Sequence, residues 1–160
     1  MTISRIYQDT LIELNQTLQI DEKASHHLAR VLRAKVADTL ILFNGQPFQG
    51  QLGEFEAVIT QIHKKVIEVK ILRFHPANTE SPLNICLAQG IARGEKMDFI
   101  IQKACELGVN AIQPLITSRC NVKLEGEREE KRLMHWRSVI QSACEQSGRN
   151  HLPTIAAPIT

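Results

Sequence analysis

The 160-residue sequence lacks several features that would each indicate a class of protein. No hydrophobic run approaches the length of a membrane-spanning helix, and residues 1–10 lack the apolar core of a signal peptide. A net charge of +2 is too small to indicate nucleic-acid binding from composition. Because neither GxGxxG nor a P-loop pattern occurs, no glycine-rich phosphate loop is predicted. These absences lead us to expect a soluble, cytoplasmic globular protein.

The four cysteines form neither a metal-binding pattern nor a disulfide framework. Cys86, Cys105, Cys120 and Cys144 include no CxxC pair, and no histidine lies at zinc-finger spacing from them. Three of the four lie in apolar strand or helix patterns. We therefore predict reduced thiols that mostly pack as small core residues, and no metal site.

The clearest local pattern is a strand, a helix and a second strand between residues 83 and 116. Leu83, Ile85 and Leu87 alternate with polar or small residues, which predicts a strand. From Met97 onward apolar residues recur at helical spacing, and Gly108 stands where a helix C-terminus favours a left-handed residue. Residues 109–116 form a second apolar run. A strand, a crossover helix and a strand in so few residues predict a parallel pair in an α/β layer.

The segment before this pattern predicts short strands with one helix. Asp21 is a suitable N-cap for a helix, and residues 57–62 and 66–72 flank His63 as the arms of a hairpin. The expected apolar face of that helix consists of Ala24, Leu28, Val31 and Leu32. Short strands with a single helix favour a small β-barrel over residues 1–73. Residues 73–82 contain two prolines and several polar residues, which predicts a linker over residues 74–81.

A third helix is predicted to begin within residues 125–132, which carry many charges of both signs and indicate a solvated first part. Gly148 is placed to end this helix. Its expected buried face comprises Leu133, Trp136, Ile140, Ala143 and Ser147.

Polar side chains follow both strands of the predicted parallel pair. Gln89, Arg93, Glu95 and Lys96 come after the first strand, and Arg119 comes after the second. The carboxyl ends of parallel strands are where open α/β sheets usually bind ligands, so these residues are candidates for a site. Charged loop residues without any function remain an open alternative.

The same region resembles a known family. The residues that carry the resemblance are Gln89, Arg93-Gly94-Glu95-Lys96-Met97, Ile101-Gln102-Lys103, Glu106-Leu107-Gly108-Val109, Ile112, Pro114 and Ser118-Arg119. In this order they resemble the signature of the bacterial ribosomal RNA small subunit methyltransferase E family. The resemblance implies a SPOUT-like α/β domain, knotted in complete members, which binds S-adenosylmethionine. It also implies methylation of N3 of a uridine in 16S ribosomal RNA, without a metal.

The N-terminal segment resembles the PUA-like domain of that family, a fold associated with RNA binding. The matching residues are Arg5-Ile6-Tyr7, His27-Leu28, Val31-Leu32-Arg33 and Leu42-Phe43-Asn44-Gly45, and residues 46–54 form a longer loop than expected. The resemblance implies RNA contacts for Arg5, Arg30 and Arg33, because arginine donors match phosphate oxygens. The alternative is that Arg30 and Arg33 are only the solvated face of a helix.

The sequence Glu145-Gln146-Ser147-Gly148-Arg149 resembles the EQSGR element of the family. From this resemblance we expect Arg149 to stabilise negative charge on the uracil and Glu145 to accept the N3 proton. Gln146 and Ser147 are expected to bind the substrate with Arg93 and Arg119, all at one end of the sheet. For Glu145, an ordinary solvated position near a helix end remains the alternative.

One departure concerns the cofactor. The resemblance implies a glycine-rich GPEGG-like loop and an RxETA-like segment that form the knot and the cofactor pocket, and neither is present here. We therefore expect residues 82–160 to be the first half of the methyltransferase domain, with the cofactor-binding residues beyond Thr160 and no turnover by this chain alone. The complete form is expected to be a homodimer acting on 16S ribosomal RNA or the small ribosomal subunit. A noncatalytic RNA-binding module and a fragment ordered only by self-association remain alternatives.

Overall fold

The computed structural model describes residues 3–64, 66–118 and 126–160. The chain divides into two compact units, Met1–Asn78 and Thr79–Thr160. The predicted linker, residues 74–81, is not a separate segment. Its first residues extend a strand of the first unit, and Thr79 and Glu80 form hydrogen bonds within the second unit.

The first unit is built on one five-stranded sheet. Its elements are β1 (Ser4–Tyr7), β2 (Thr17–Gln19), α1 (Glu22–His26), a π-helical turn (His27–Val31), β3 (Thr39–Phe43), β4 (Gly53–Ile62) and β5 (Ile67–Pro76). The strand order is β1-β3-β4-β5-β2. β1 and β3 are parallel, whereas β3–β4, β4–β5 and β2–β5 are antiparallel. The hairpin predicted on either side of His63 is confirmed as β4 and β5, which are longer than expected.

Alternating apolar residues bury one face of this sheet. Ile67, Val69 and Ile71 of β5 are fully buried, while Glu68 and Lys70 between them are not. This is the pattern expected of a strand with one wet face. The buried cluster also takes in β1, β3, β4 and Leu28. The hydrophobic core of the unit therefore lies between the sheet and the helix.

The predicted start of α1 is confirmed, but half of its predicted face is wrong. The Asp21 carboxylate accepts a hydrogen bond from the Ala24 backbone at 2.9 Å. Ala24 and Leu28 are buried, whereas Val31 and Leu32 are 62% and 47% exposed. The helix changes to π geometry after His26, and the wider turn moves the last residues off the core-facing stripe.

The second unit is a three-stranded parallel sheet with two crossover helices. Its elements are β6 (Cys86–Gly90), α2 (Glu95–Glu106), β7 (Ala111–Leu115), α3 (Glu127–Ser147) and β8 (Thr154–Ile155), in the order β6-β7-β8. The predicted parallel pair is confirmed by the β6–β7 register. β6 begins later than predicted, since Leu83 and Ile85 precede it and are exposed.

Both helix ends predicted from glycine are confirmed. Gly108 and Gly148 have φ values of +91° and +80°, which residues with a Cβ rarely adopt. Along α3, the predicted residues Leu133, Trp136, Ile140 and Ala143 are buried. Ser147 is exposed, and Cys144 is buried in its place.

Candidate functional site

The carboxyl end of the parallel sheet brings two loops together. Gly90 pairs with Leu115 at the ends of β6 and β7, and the Ile91 backbone donates to the Leu115 carbonyl at 3.0 Å. Arg93 follows in the loop before α2, and its side chain is exposed. Arg119 lies outside the described residues. The structure thus places Arg93 where the sequence predicted a ligand-binding position.

Arg149 lies in a buried ion pair. It is 4% exposed, and its Nε and Nη2 atoms donate to the Glu80 carboxylate at 3.0 Å and 2.5 Å. Its Nη1 atom donates to the carbonyls of Cys105 and Val109 at 3.0 Å and 2.9 Å. All of these partners belong to the second unit. The contacts therefore favour a structural role for the guanidinium over the predicted stabilisation of substrate charge.

The predicted gathering of Arg149 and Arg93 at one end of the sheet is wrong. Arg149 binds the carbonyl of Val109, which lies just before the start of β7, whereas Arg93 follows the end of β6. A crossover helix runs antiparallel to the strands that it joins. The residues after α3 must therefore lie at the amino ends of the strands, opposite the loop of Arg93.

The buried pair of Arg149 and Glu80 lies among contacts at the ends of two helices. Cys105 is in the last turn of α2, so its carbonyl lies at the negative end of that helix dipole. Glu80 also accepts a hydrogen bond from the His151 backbone at 3.4 Å, and the Thr79 hydroxyl donates to the Gly148 carbonyl at 3.0 Å. These contacts join the start of the unit to the C-terminal ends of both α2 and α3.

The other residues of the EQSGR element face different surroundings. Glu145 is half-buried and accepts a hydrogen bond from the Gln141 amide at 3.1 Å. Gln146 is exposed and lines a groove between α2 and α3, and Ser147 is exposed near the end of α3. The element is thus divided between a buried end, at Arg149, and an accessible helix surface.

The groove between α2 and α3 has a volume of about 410 Å³. Its lining residues are Gln102, His135, Ser138, Val139, Ser142, Ala143 and Gln146. His135 Nε2 lies 2.7 Å from the Asp98 carboxylate and connects the two helices. The sequence analysis did not single out His135 or Asp98. The signal was present, because His135, Ser138, Ser142 and Gln146 recur at spacings of three and four residues along one helical face.

Two buried thiols lie beside the Arg149 cluster. Cys105 and Cys144 are fully buried, which confirms the core position predicted for them, whereas Cys86 is exposed and Cys120 lies outside the described residues. A hydrogen bond from Cys144, together with the Arg149 charge, lowers the pKa of Cys105. The hydrogen bond with Cys105 and burial raise the pKa of Cys144. Cys144 therefore remains a protonated thiol.

The three arginines predicted to contact RNA differ in their surroundings. Arg30 lies in the π-helical turn and Arg33 lies just after it. Both are exposed, and within the described part of the chain no ion pair involves either one. Arg33 has a φ of +53°, an uncommon conformation for a residue with a Cβ. Arg5 is paired with the Glu54 carboxylate, and its guanidinium lies 4.9 Å from the centre of the Phe43 ring. These contacts favour a structural role for Arg5.

Comparison with known proteins defines the class of this fold. The family model of the RNA methyltransferase domain matches residues 79–160. The family model of the RNA methyltransferase PUA domain matches residues 20–72. The first match spans the second compact unit, and the second match lies within the first compact unit. The chain belongs to the RNA methyltransferase family, with a PUA-like first unit and a SPOUT-type second unit.

Individual relatives narrow the class further. The ribosomal RNA small subunit methyltransferase E of Buchnera aphidicola (Schizaphis graminum) is 38% identical over 98% of this chain and 61% of its own length. A crystal structure of the Neisseria gonorrhoeae enzyme of that name, bound to S-adenosyl methionine, matches with 40% identity and a TM-score of 0.91 over 99% of this chain and 63% of that chain. A putative methyltransferase from Legionella pneumophila in complex with the same cofactor gives 41% identity and a TM-score of 0.93 with the same coverage. The resemblance predicted from the sequence is confirmed, and the chain spans less than two thirds of each relative.

The described residues contain neither a candidate membrane-spanning helix nor a candidate metal-binding cluster. None of their helices is long and apolar enough to cross a membrane. No group of three or more His, Cys, Asp or Glu side chains among residues 3–64, 66–118 and 126–160 is placed to bind a metal ion.

Proposed function

We propose that the complete form of this protein transfers a methyl group from S-adenosylmethionine to N3 of a specific uridine in 16S ribosomal RNA. The observation that carries this proposal is the match of both units, at a TM-score of 0.91, to a ribosomal RNA small subunit methyltransferase E bound to S-adenosyl methionine. The substrate is the RNA or the small ribosomal subunit. We further propose that the complete form works in the cytoplasm as a homodimer.

The described residues fit part of a cofactor site. S-adenosylmethionine, when bound, supplies an electrophilic methyl group on a sulfonium. Gly94 in the loop after β6 has a φ of +60°, and no atom lies within 4 Å of the position that a Cβ would take. A ligand can therefore approach this backbone closely. We propose that this loop forms one wall of the cofactor pocket and that the remaining part of a complete chain supplies the rest.

The chemistry assigns different roles to the arginines of the second unit. N3 of uridine becomes nucleophilic as it loses its proton, and the negative charge then spreads over the uracil carbonyls. Because Arg149 is hydrogen-bonded to Glu80 and to two carbonyls, we propose that it positions the C-terminal ends of α2 and α3. Arg93 is exposed and suits contact with the substrate, together with Arg119. Glu145 stays the proposed proton acceptor, and because in one chain it lies at the opposite end of the sheet from Arg93, we propose that it acts from the second subunit of the homodimer.

The accessible part of the EQSGR element suits recognition of the nucleotide. Gln146 carries an amide with both donor and acceptor atoms, and Ser147 carries a hydroxyl. Both side chains are exposed on the last turn of α3. We propose that they bind the uracil or its ribose from the second subunit of the homodimer, because in one chain they lie at the opposite end of the sheet from Arg93.

RNA contact by the first unit is expected to depend on Arg30 and Arg33. Their replacement by alanine (R30A/R33A) should weaken binding of a 16S ribosomal RNA fragment and lower the slope of log affinity against log salt by about one for each arginine. Fluorescence anisotropy at several salt concentrations measures both quantities. The charge-matched control is K64A/K70A, which removes two exposed lysines of the β4–β5 hairpin. Equal effects of the two double variants would show that only total charge matters.

A second function is favoured by one observation, the coverage of about 60% of the relatives by this chain. The 160 residues alone would then be a noncatalytic RNA-binding module. Calorimetric titration with S-adenosylmethionine distinguishes a chain that binds the cofactor from a noncatalytic RNA-binding module. We expect no saturable heat from this chain. Saturable binding would mean that the described residues already build the cofactor pocket, and the proposed inactivity of the chain would be wrong.

A further inference from the structure

A cavity of about 320 Å³ in the first unit has no role in the proposed methyl transfer. It is lined by Asp9, Thr10, Leu11, Asn44 and Gln46, and we name it the loop pocket. β1 and β3 are parallel, with Tyr7 paired to Phe43 at their carboxyl ends. The loops that follow the two strands therefore leave the sheet side by side, and the cavity lies between them.

The loop pocket is fixed by buried hydrogen bonds. Asn44 is only 9% exposed. Its amide donates to the Thr10 carbonyl at 3.0 Å, and its Oδ1 accepts from the Gln46 backbone at 2.9 Å. One side chain thus joins the two loops that line the cavity. A site whose walls are already in place pays little to become ordered when a ligand binds.

The pocket's chemistry favours a ligand rich in N–H donors. Asp9 is exposed, and its carboxylate is contacted by the Tyr7 hydroxyl only at the long distance of 3.4 Å. Burial and the Asp9 charge raise the pKa of Tyr7, so the hydroxyl remains a donor. Because a carboxylate repels phosphate, the part of an RNA that suits this cavity is a base. Leu11, which is 68% exposed, offers an apolar surface to the face of that base.

Among the four bases, guanine matches a carboxylate best. Its N1–H and its exocyclic amino group are neighbouring donors on one edge, and they correspond to the two carboxylate oxygens as an arginine fork does. Adenine and cytosine place an acceptor beside their amino group, and uracil places its one donor between two acceptors. Gln46, which is exposed, supplies an amide donor for the guanine O6.

The loop pocket is also connected to the proposed RNA-binding arginines. The Gln8 amide, at the start of the first loop, donates to the Asp21 carboxylate at 2.7 Å, and its oxygen accepts from the Asp21 backbone at 3.1 Å. Asp21 is the N-cap of α1, which continues into the π-helical turn with Arg30. We propose that the loop pocket binds an unpaired guanine of the RNA whose phosphates meet Arg30 and Arg33. This inference rests on the RNA-binding part of the proposed function.

The test compares uridine oligonucleotides that carry one central guanosine, adenosine, cytidine or uridine. Fluorescence anisotropy with the 160-residue chain should show about tenfold tighter binding of the guanosine oligonucleotide. Asp9→Asn replaces one carboxylate oxygen with an amide donor and should abolish this preference. Glu13→Gln removes the same charge from the same loop and should leave the preference intact. An absent preference, or one that survives Asp9→Asn, would overturn the inference.

A second measurement separates this inference from the RNA-binding proposal. R30A/R33A should weaken binding of all four oligonucleotides equally and keep the guanosine preference. Guanosine alone, titrated against the chain, should shift the NMR signals of the Thr10 and Gln46 amides, and Asp9→Asn should remove those shifts. If guanosine produces these shifts but no oligonucleotide binds, the pocket binds a free nucleoside and the RNA-binding proposal fails. If guanosine produces no shift and the oligonucleotides bind without preference, the pocket inference fails alone.

Discussion

Arg149→Met is expected to lower the free energy of unfolding of the second unit by about 3–5 kcal/mol. The substitution leaves the Glu80 carboxylate, whose side chain is 12% exposed, without its cation. It also removes the donor from the carbonyls of Cys105 and Val109. Breaking a buried pair from one side is costly because the remaining charge stays buried.

The single tryptophan provides the measurement. Trp136 lies in α3 and is 1% exposed, so its fluorescence in a denaturant titration reports the unfolding of this unit. Arg93→Met removes an exposed arginine from the same unit and is expected to change stability by less than about 0.5 kcal/mol. Glu80→Gln completes a double-mutant cycle with Arg149→Met, and we expect a coupling energy of about 1–3 kcal/mol.

The same variants test the role of Arg149. A loss of less than about 1 kcal/mol would contradict the structural role, because a buried pair with two further hydrogen bonds cannot be removed at so small a cost. In a complete form of the protein, a catalytic Arg149 would instead show lost methyl transfer with unchanged stability. That result would restore the role predicted from the EQSGR resemblance.

Gly53→Ala is expected to destabilise the first unit by about 3 kcal/mol, at the upper end of the usual cost of overpacking. Gly53 opens β4 opposite Pro76 of β5. A Cβ at this position would overlap the carbonyl oxygen of His75 and lie 2.5 Å from Cζ of Phe74. The backbone oxygen cannot move away without disturbing the strand pairing, and Phe74 packs against two other phenylalanines at centroid distances of 5.0 Å.

Hydrogen–deuterium exchange of the β4 and β5 amides measures this effect, because it reports the opening of these strands. Gly50→Ala is the matched control in the preceding turn. Gly50 has a φ of +79° but no atom within 4 Å of its Cβ position, so only the backbone strain of about 1–2 kcal/mol remains. Equal protection of these amides from exchange in Gly53→Ala and Gly50→Ala would mean that the contact with β5 is not the reason for glycine at position 53.

Periodicity and turn chemistry were sufficient to predict most elements. α2, α3, the parallel β6–β7 pair and the glycine ends of both helices follow from local signals, and the structure contains them. The errors occur where tertiary packing overrides the pattern. Leu83 and Ile85 alternate as a strand would, but they precede β6 and are exposed. Val31 and Leu32 continue a helical stripe that the π-helical turn interrupts.

The arginines of the candidate site show what a sequence pattern cannot supply. The partner of Arg149 is Glu80, which is 69 residues away, and the partner of Arg5 is Glu54, which is 49 residues away. No spacing rule predicts such pairs, and an arginine in a family motif looks the same whether it contacts substrate or protein. The direction of the crossover helix, by contrast, was predictable, and it would have placed Arg149 and Arg93 at opposite ends of the sheet.

The central proposal is that these residues form the N-terminal, RNA-binding part of an N3-uridine methyltransferase. Its most direct test joins the 160 residues to the remaining part of the Neisseria gonorrhoeae relative, of which the chain covers 63%. Small ribosomal subunits are incubated with this chimera and S-adenosylmethionine, and the nucleosides of the 16S RNA are analysed by mass spectrometry. We predict N3-methyluridine at one site with the chimera and none with the 160 residues alone. Methylation at another atom, or none when the Neisseria protein itself methylates the same subunits, would contradict the claim.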